Sequence, residues 1–228
     1  YHRTLAAGFF TVCVTGDKLI DLPANVLVTP YVGVDDFKLP DMPGRSVLLG
    51  PAYFIFRPEF IEAAKKERSI SATGQRVLVT VGGSDNLHLT TKIIRSICLL
   101  IGRDLSLQIV IGAGYTDELK RDVAVTLEGF NGDHRLLAHE TNMADAMLWA
   151  DLAITGDGLT KYEAAATGTP CIILSRHDSE MTLTQKFKEL KTGIHVGDGA
   201  LISIDELAKT IGSVLKDSQL RSSMSVNG

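Results

Sequence analysis

The hydrophobic pattern after residue 74 alternates between short apolar runs and segments in which apolar residues recur at helical spacing. The short runs predict strands at Arg76–Val81, Leu107–Ile111, His134–His139, Asp151–Thr155, Cys171–Ser175 and Ile194–Val196. The other segments predict helices at Leu87–Ile101, Thr116–Val123, Met143–Ala150, Leu159–Thr167, Leu183–Lys191 and Asp205–Leu215, the last of which closes the domain. Helices between the strands indicate an α/β fold with a doubly wound parallel sheet. We expect the strand order 3-2-1-4-5-6.

The first 66 residues follow this pattern less regularly. Strands are predicted at Phe9–Val14 and Val26–Val28 and a helix at Pro58–Lys66, whereas Pro30–Pro51 shows little periodicity. We therefore interpret residues 1–66 as an incomplete N-terminal α/β domain with a linker, and residues 67–228 as a C-terminal domain. The chain starts without Met inside a helical pattern, so we expect further residues upstream.

Charge and composition exclude several classes of function. The net charge of −4 and the pI of about 5.9 argue against a nucleic-acid partner, which usually meets a basic face. No apolar run reaches the roughly 18–20 residues that span a bilayer, so we expect no membrane insertion. Three cysteines far apart in the chain predict reduced thiols and a cytoplasmic protein. The spacing of His, Cys and carboxylates predicts no metal site, and no cofactor is expected.

A glycine-rich loop joins the first strand of the C-terminal domain to the following helix. Its candidate binding residues are Gly82, Gly83, Ser84 and Asp85. Glycines allow a tight turn and a close approach of the backbone to a ligand. Exposed amides at a helix start favour a phosphate group. A strand–Gly–Gly turn also occurs for packing reasons alone, and this motif by itself leaves both interpretations open.

A second glycine loop follows the fourth strand, which neighbours the first strand in the predicted order. Its candidate binding residues are Gly156, Gly158, Leu159 and Thr160. Two glycine turns on adjacent strands would face one crevice, and this coincidence favours ligand binding over packing. Asp157 would repel a diphosphate unless its carboxylate points away or holds a metal.

Glu163 lies one turn into the helix after the second loop. A carboxylate there accepts two hydroxyl hydrogen bonds, as acidic residues do when they recognise ribose. The spacing of Thr160 and Glu163 also fits a capping box, in which the two side chains only satisfy the helix start. The spacing supports both interpretations equally.

Three segments together resemble a known family. Leu49–Phe60, Val79–Ile94 and Ala150–Ile173 resemble the UDP-sugar hydrolases of pseudaminic acid biosynthesis and the related spore-coat polysaccharide biosynthesis proteins. They are more distantly similar to the transferase that adds N-acetylglucosamine to a lipid-linked peptidoglycan precursor. The resemblance covers about residues 20 to 200. It implies a glycosyltransferase-B fold, with a Rossmann-like C-terminal domain that holds most of the donor nucleotide.

The resemblance also implies roles for individual residues. Gly83 and Ser84 would line the diphosphate, and Glu163 would accept the ribose hydroxyls. Thr160 and the Gly156–Gly158 turn would hold the nucleotide from the second loop, and Ile154 and nearby apolar residues would border the base. Arg57 and Glu59 belong to a motif near the hinge, where a structural role is expected.

The chain departs from the family where catalysis is concerned. Relatives carry a Gly-x-Gly-His segment in the N-terminal domain that holds the presumed base, and this chain has none. His88 stands where relatives often carry Asn, and Asp157 stands where they carry a small residue. The segment Glu180-Met181-Thr182 stands where relatives often carry an Asn-Gln pair that helps to bind the donor. His88 is the weak catalytic candidate, since it can reach the crevice or lie on the solvated face. No arrangement of Ser, His and Asp at a strained turn predicts a nucleophile.

The sequence therefore favours an enzyme that binds a UDP-sugar in surface polysaccharide or nonulosonic acid biosynthesis. It would hydrolyse or transfer the sugar and release UDP. The alternative is a non-catalytic nucleotide-sugar-binding or assembly module without its own base. A homo-oligomer or a larger parent polypeptide is compatible with both. A dinucleotide enzyme is disfavoured because no Gly-x-Gly-x-x-Gly precedes an acid about 20 residues on. The sugar and the acceptor are not specified.

Overall fold

The computed structural model describes residues 8–15, 22, 24–34, 43–138, 142–175 and 182–228, without the side chains of 182–185. The chain divides into two compact units after Phe56. One unit comprises the residues up to Phe56 together with residues 180–189, and the other comprises residues 57–179 and 190–228. This division begins the second unit at Arg57, earlier than the boundary after residue 66 that the sequence suggested.

The first unit contains a three-stranded parallel sheet in the order β1-β2-β3. Its strands are β1 (Val12–Val14), β2 (Val26–Thr29) and β3 (Ser46–Leu49). The prediction of little periodicity across Pro30–Pro51 missed β3, because this short strand buries neither face and so shows no alternation. A hydrogen bond of 2.7 Å joins the hydroxyls of Thr15 and Thr29 beside the buried side chains of Cys13 and Leu27.

The second unit is built on a six-stranded parallel sheet. Its strands are β4 (Arg76–Thr80), β5 (Ser106–Val110), β6 (His134–Leu137), β7 (Leu152–Gly156), β8 (Cys171–Ser175) and β9 (Gly193–Asp198). Their spatial order is β6-β5-β4-β7-β8-β9, which confirms the predicted order 3-2-1-4-5-6. The order reverses between β4 and β7, which pair from Val77 with Leu152 to Thr80 with Thr155. Open α/β sheets bind ligands at the carboxyl ends of the strands at such a reversal.

Helices alternate with these strands as the sequence predicted, with small shifts at their ends. They are α1 (Pro58–Ala63), α2 (Leu89–Cys98), α3 (Asp117–Leu127), α4 (Met143–Trp149), α5 (Thr160–Ala166), α6 (Thr182–Glu189), α7 (Ile204–Lys216) and α8 (Ser218–Asn227). Thr116 and Asn142 cap α3 and α4 through their side chains, as expected. Helix α2 is shorter than predicted, and Ile101 lies beyond its end with its side chain exposed.

Helix α8 extends the second unit past the helix that the sequence analysis placed last. Its sequence is polar, and the face that it buries consists of Arg221 and Met224, so its hydrophobic pattern is weak. The buried guanidinium of Arg221 donates hydrogen bonds to the carbonyls of Val214 and Leu215 at the end of α7, and to those of Ser71 and Ala72. Arg221 therefore ties residues 71–72 to the C-terminal helices.

One hydrophobic core joins the sheet of the second unit to α2, α3 and α7. Apolar residues of α2 at Leu89, Ile93 and Ile97 recur every four residues and form one buried stripe. They pack with buried side chains of β4, β5, β7 and β8 in the same cluster. This core fixes the positions at which the strands end, and therefore the positions of the loops that follow them.

Candidate functional site

The first glycine loop leaves β4 through a backbone turn that requires glycine. Gly82 has a φ of 107°, a conformation that residues with a Cβ rarely adopt. A Cβ at Gly83 would meet no atom within 4 Å, so its Cα faces open space. Among the residues that the structure describes, none accepts a hydrogen bond from the backbone N–H of Gly83 or Ser84. These two amides are available to a ligand.

The loop after β5 supports the first glycine loop from one side. The N–H of Gly114 donates a hydrogen bond of 2.8 Å to the carbonyl of Gly83. A Cβ on Gly112 would lie 2.5 Å from the carbonyl oxygen of Gly82 and nearer still to that of Gly83. Nothing in the sequence indicated a role for Gly112 or Gly114. Their contacts show that a third glycine turn holds the first one in place.

The second glycine loop lies directly beside the first. A Cβ on Gly156 would be 3.1 Å from the carbonyl oxygen of Val81, the residue before Gly82. Residues Gly158 and Leu159 continue the second loop, and both are exposed. The prediction that the two glycine turns share one edge of the sheet is therefore confirmed by the pairing of β4 with β7.

Asp85 lies in the loop before α2, and its side chain reaches the start of that helix. Its carboxylate accepts hydrogen bonds of 2.8 Å and 2.7 Å from the amides of Leu89 and Thr90, and the residue is only 2% exposed. The first amides of α2 are thus satisfied by the protein itself. A phosphate at this loop would have to use the amides before the helix, at Gly83 and Ser84. The carboxylate of Asp85 shapes the loop and points away from the surface.

His88 immediately precedes α2. The predicted helix Leu87–Ile101 had included this residue. Its backbone is left-handed, with a φ of 53°. Its Nδ1 lies 3.6 Å from the carboxylate of Asp122 on α3, and both side chains are about half exposed. The structure therefore supports the alternative in which His88 lies on the solvated face.

The capping-box interpretation of Thr160 and Glu163 is wrong. Helix α5 begins at Thr160 after Leu159, and no side chain makes a capping hydrogen bond there. The carboxylate of Glu163 instead accepts a hydrogen bond of 3.3 Å from the guanidinium of Arg57. The side chain of Glu163 is 17% exposed, so one part of it remains open to solvent.

Arg57 connects two carboxylates. Its guanidinium lies 3.0 Å from Glu59 and 3.3 Å from Glu163, and it stacks 5.0 Å from the ring centre of Phe60. Burial raises the pKa of Glu163 above its usual value; the charge and hydrogen bond of Arg57 oppose this rise, and the charge of Glu59 adds to it. The sequence could not predict this contact, since Arg57 and Glu163 are separated by 106 residues.

The expectation that Ile154 borders a base is wrong. Ile154 is fully buried in the core of the second unit, with no side-chain surface at the sheet edge. An apolar surface at the carboxyl edge is formed instead by a cavity of about 320 Å³ after β5 and β6. It is lined by Ile111, Ala113, Leu136 and Leu137, with Lys120 at its side.

A Ser–His pair that the sequence did not predict joins Ser175 at the end of β8 to His195 within β9. The Oγ of Ser175 is 2.9 Å from the Nε2 of His195, whose Nδ1 accepts a hydrogen bond from the N–H of Gly197. This places the proton of a neutral ring on Nε2, which then donates to Ser175. His139, Glu180 and Met181 lie outside the described residues.

The described residues form neither a metal site nor a membrane-spanning helix. No group of three or more His, Cys, Asp and Glu side chains is arranged to hold a metal ion. None of the described helices is both long and apolar enough to span a membrane. Asp157 lies in the second loop with its side chain half-buried, and it belongs to no metal-binding group of described residues.

Several known proteins are similar to this chain in sequence. No family model matches the chain. It is 25% identical over 182 residues to the spore coat polysaccharide biosynthesis protein SpsG of Bacillus subtilis, across 78% of this chain and 52% of SpsG. It is 29% identical over 127 residues to the UDP-N-acetylglucosamine–N-acetylmuramyl-(pentapeptide) pyrophosphoryl-undecaprenol N-acetylglucosamine transferase of Mannheimia succiniciproducens, across 54% of this chain and 35% of the transferase. The chain thus spans about half the length, or less, of these relatives.

The fold is also found in solved structures. The crystal structure of MurG from Acinetobacter baumannii matches with a TM-score of 0.65 and 14% sequence identity, across 98% of this chain and 63% of MurG. This similarity identifies the α/β fold as that of the glycosyltransferase-B proteins. In sequence, the chain is similar to SpsG and to the transferase.

Proposed function

We propose that this chain binds the nucleotide part of a nucleotide-sugar at the carboxyl edge of its six-stranded sheet, in the C-terminal domain of residues 67–228. The observation that carries this proposal is the contact of two glycine loops at the reversal of strand order. Gly156 packs on Val81, and the amides of Gly83 and Ser84 are open beside it. Fixed backbone dipoles of this kind bind anions without a basic surface.

The diphosphate would accept hydrogen bonds from the amides of Gly83 and Ser84. The absence of a Cβ at Gly82 and Gly83 lets phosphate oxygens come close to the backbone. The buried carboxylate of Asp85 does not oppose this, because its charge is offset by the two amides that it caps. Gly158, Leu159 and Thr160 would enclose the nucleotide from the second loop.

Glu163 would recognise the ribose. Its carboxylate has unused acceptor capacity, since the hydrogen bond from Arg57 engages one lone pair of Oε1. Support for UDP as the nucleotide comes from the relative whose name includes UDP-N-acetylglucosamine. Support for a place in surface polysaccharide synthesis comes from the similarity to SpsG.

The proposed reaction is transfer of the sugar to a hydroxyl acceptor, or to water. The acceptor oxygen attacks the anomeric carbon, the bond from that carbon to the diphosphate oxygen breaks, and UDP leaves with its charge stabilised by the loop amides. A base takes the proton of the acceptor. His88 faces Asp122, and this position favours a second candidate: a nucleotide-sugar-binding module whose base comes from another chain or segment.

Calorimetric titration of the full chain with UDP tests the proposal. We expect saturable binding by the wild type and a loss of about tenfold or more in affinity for Glu163→Ala, since hydrogen bonds to a charged group are lost. Glu118→Ala is the matched control, because Glu118 is a carboxylate in the first turn of α3. No binding of UDP by the wild type contradicts the proposal.

Incubation with UDP-N-acetylglucosamine separates the two candidates. Free UDP in the absence of an acceptor indicates hydrolysis, and free UDP only with an added hydroxyl acceptor indicates transfer. Binding without any UDP release supports the module.

A further inference from the structure

We infer that Arg57 is a positioning residue for ribose recognition, which fixes the carboxylate of Glu163 so that it discriminates ribose from deoxyribose. This inference rests on the proposed function. Arg57 lies at the N-cap of α1, far along the chain from both glycine loops, and its side chain reaches Oε1 of Glu163.

The guanidinium of Arg57 is held on three sides. Nη1 lies 3.0 Å from Glu59, Nη2 lies 3.3 Å from Glu163, and the plane stacks on the fully buried Phe60. Pro58 at the first position of α1 restricts the backbone beside Arg57 as well. An arginine with these contacts is pre-organised, so little side-chain freedom is lost when it orients a carboxylate.

The consequence for Glu163 is a defined orientation. Oε1 is engaged by Arg57, which leaves Oε2 and one lone pair of Oε1 for the two hydroxyls of a ribose. Two acceptor positions at a fixed separation match a pair of neighbouring hydroxyls. A carboxylate free to rotate would accept one hydroxyl almost as well as two, and would discriminate poorly.

A direct contact between Arg57 and the diphosphate is the competing explanation for any effect of this residue. Both Nη atoms already face carboxylates, and two negative partners beside the guanidinium disfavour the approach of a third anion. The two explanations differ in what they predict for ligands that keep the diphosphate and lose one ribose hydroxyl.

The experiment measures the affinities of the full chain for UDP and for 2′-deoxy-UDP. We expect the wild type to prefer UDP by about tenfold, the effect of one hydrogen bond to a charged group. Arg57→Gln should reduce this preference to about threefold or less, with little change in affinity for 2′-deoxy-UDP. Arg57→Lys should keep part of the preference, and Arg57→Gln should add little in a Glu163→Gln background.

Lys65→Gln is the control, because it removes a neighbouring exposed ion pair with Glu62 that has no contact with Glu163. Equal weakening of both ligands by Arg57→Gln overturns the inference and favours a contact with the diphosphate. The inference is also overturned if Arg57→Gln melts like the wild type and prefers UDP over 2′-deoxy-UDP to the same extent. If Arg57→Gln does not fold, an unchanged preference for UDP in Arg57→Lys overturns the inference. Absence of UDP binding by the wild type is a separate outcome, since it contradicts the proposed function itself.

Discussion

Gly112 packs so closely against Gly82 that a Cβ on Gly112 would lie 2.5 Å from the Gly82 carbonyl oxygen. Gly112→Ala must therefore displace the first glycine loop, because backbone atoms cannot yield as a flexible side chain does. We expect a destabilisation of about 1–3 kcal/mol, as for other overpacked sites. We also expect UDP affinity to fall by more than the stability loss explains. Thermal melts and calorimetric titration measure the two effects.

Gly129→Ala serves as the control for this prediction. A Cβ on Gly129 would make only an ordinary contact of 3.6 Å with Thr126, far from the glycine loops. Its UDP affinity should equal that of the wild type. Wild-type affinity in Gly112→Ala would show that the position of the first loop does not determine binding.

We expect Asp85 to contribute directly to the stability of the protein and only indirectly to ligand binding. Its carboxylate caps α2 through the amides of Leu89 and Thr90. Asp85→Ala should lower the free energy of unfolding by about 1–2 kcal/mol, the usual effect of losing an N-cap. Asp85→Asn keeps one acceptor oxygen and should lose less. Urea denaturation followed by circular dichroism gives these values, and an Asp85→Ala variant as stable as the wild type would contradict the capping role.

The ionisation of Glu163 should determine how UDP affinity depends on pH. Only its ionised carboxylate accepts both ribose hydroxyls, so affinity should be constant at high pH and fall as the pH drops through the pKa of Glu163. Burial raises that pKa, so the fall should begin at a higher pH than for an exposed glutamate. Arg57 opposes this rise and Glu59 adds to it. Among the described residues, Arg57 and Glu59 are the charged groups that shift the pKa of Glu163.

Two variants separate this titration from that of the UDP phosphates. Glu163→Gln should show only the pH dependence of the ligand, so the ratio of wild-type to variant affinity isolates the carboxylate. Arg57→Gln should move the fall to higher pH, because the residue that favours the ionised form is gone. An identical pH profile in wild type and Glu163→Gln would exclude Glu163 from the site.

The sequence was sufficient to predict the sheet order and the two glycine loops, because both depend on local patterns. Each strand of the second unit is followed by its own turn residues and an amphipathic helix. The contact of Arg57 with Glu163 was not predictable, because it depends on how α1 packs beside α5. The role of Ile154 came from the resemblance alone, and neither the resemblance nor a strand of apolar residues shows which positions are buried on both faces of the sheet.

Strand β3 and helix α8 were not predicted from the sequence, for a related reason. Strand β3 has only four residues and no alternation of buried and exposed positions. The buried face of α8 contains Arg221, whose guanidinium donates hydrogen bonds to four carbonyls, two at the end of the preceding helix and two at residues 71–72. Because a charged residue occupies a buried position, α8 lacks the apolar periodicity from which a helix is predicted.

The most direct measurement is a crystal structure of the full chain with UDP. The account predicts diphosphate oxygens within about 3 Å of the amides of Gly83 and Ser84, and ribose hydroxyls at the same distance from the carboxylate of Glu163. Asp85 should still cap α2. A complex in which UDP lies elsewhere on the chain, or in which its phosphates replace Asp85 at the start of α2, would contradict it.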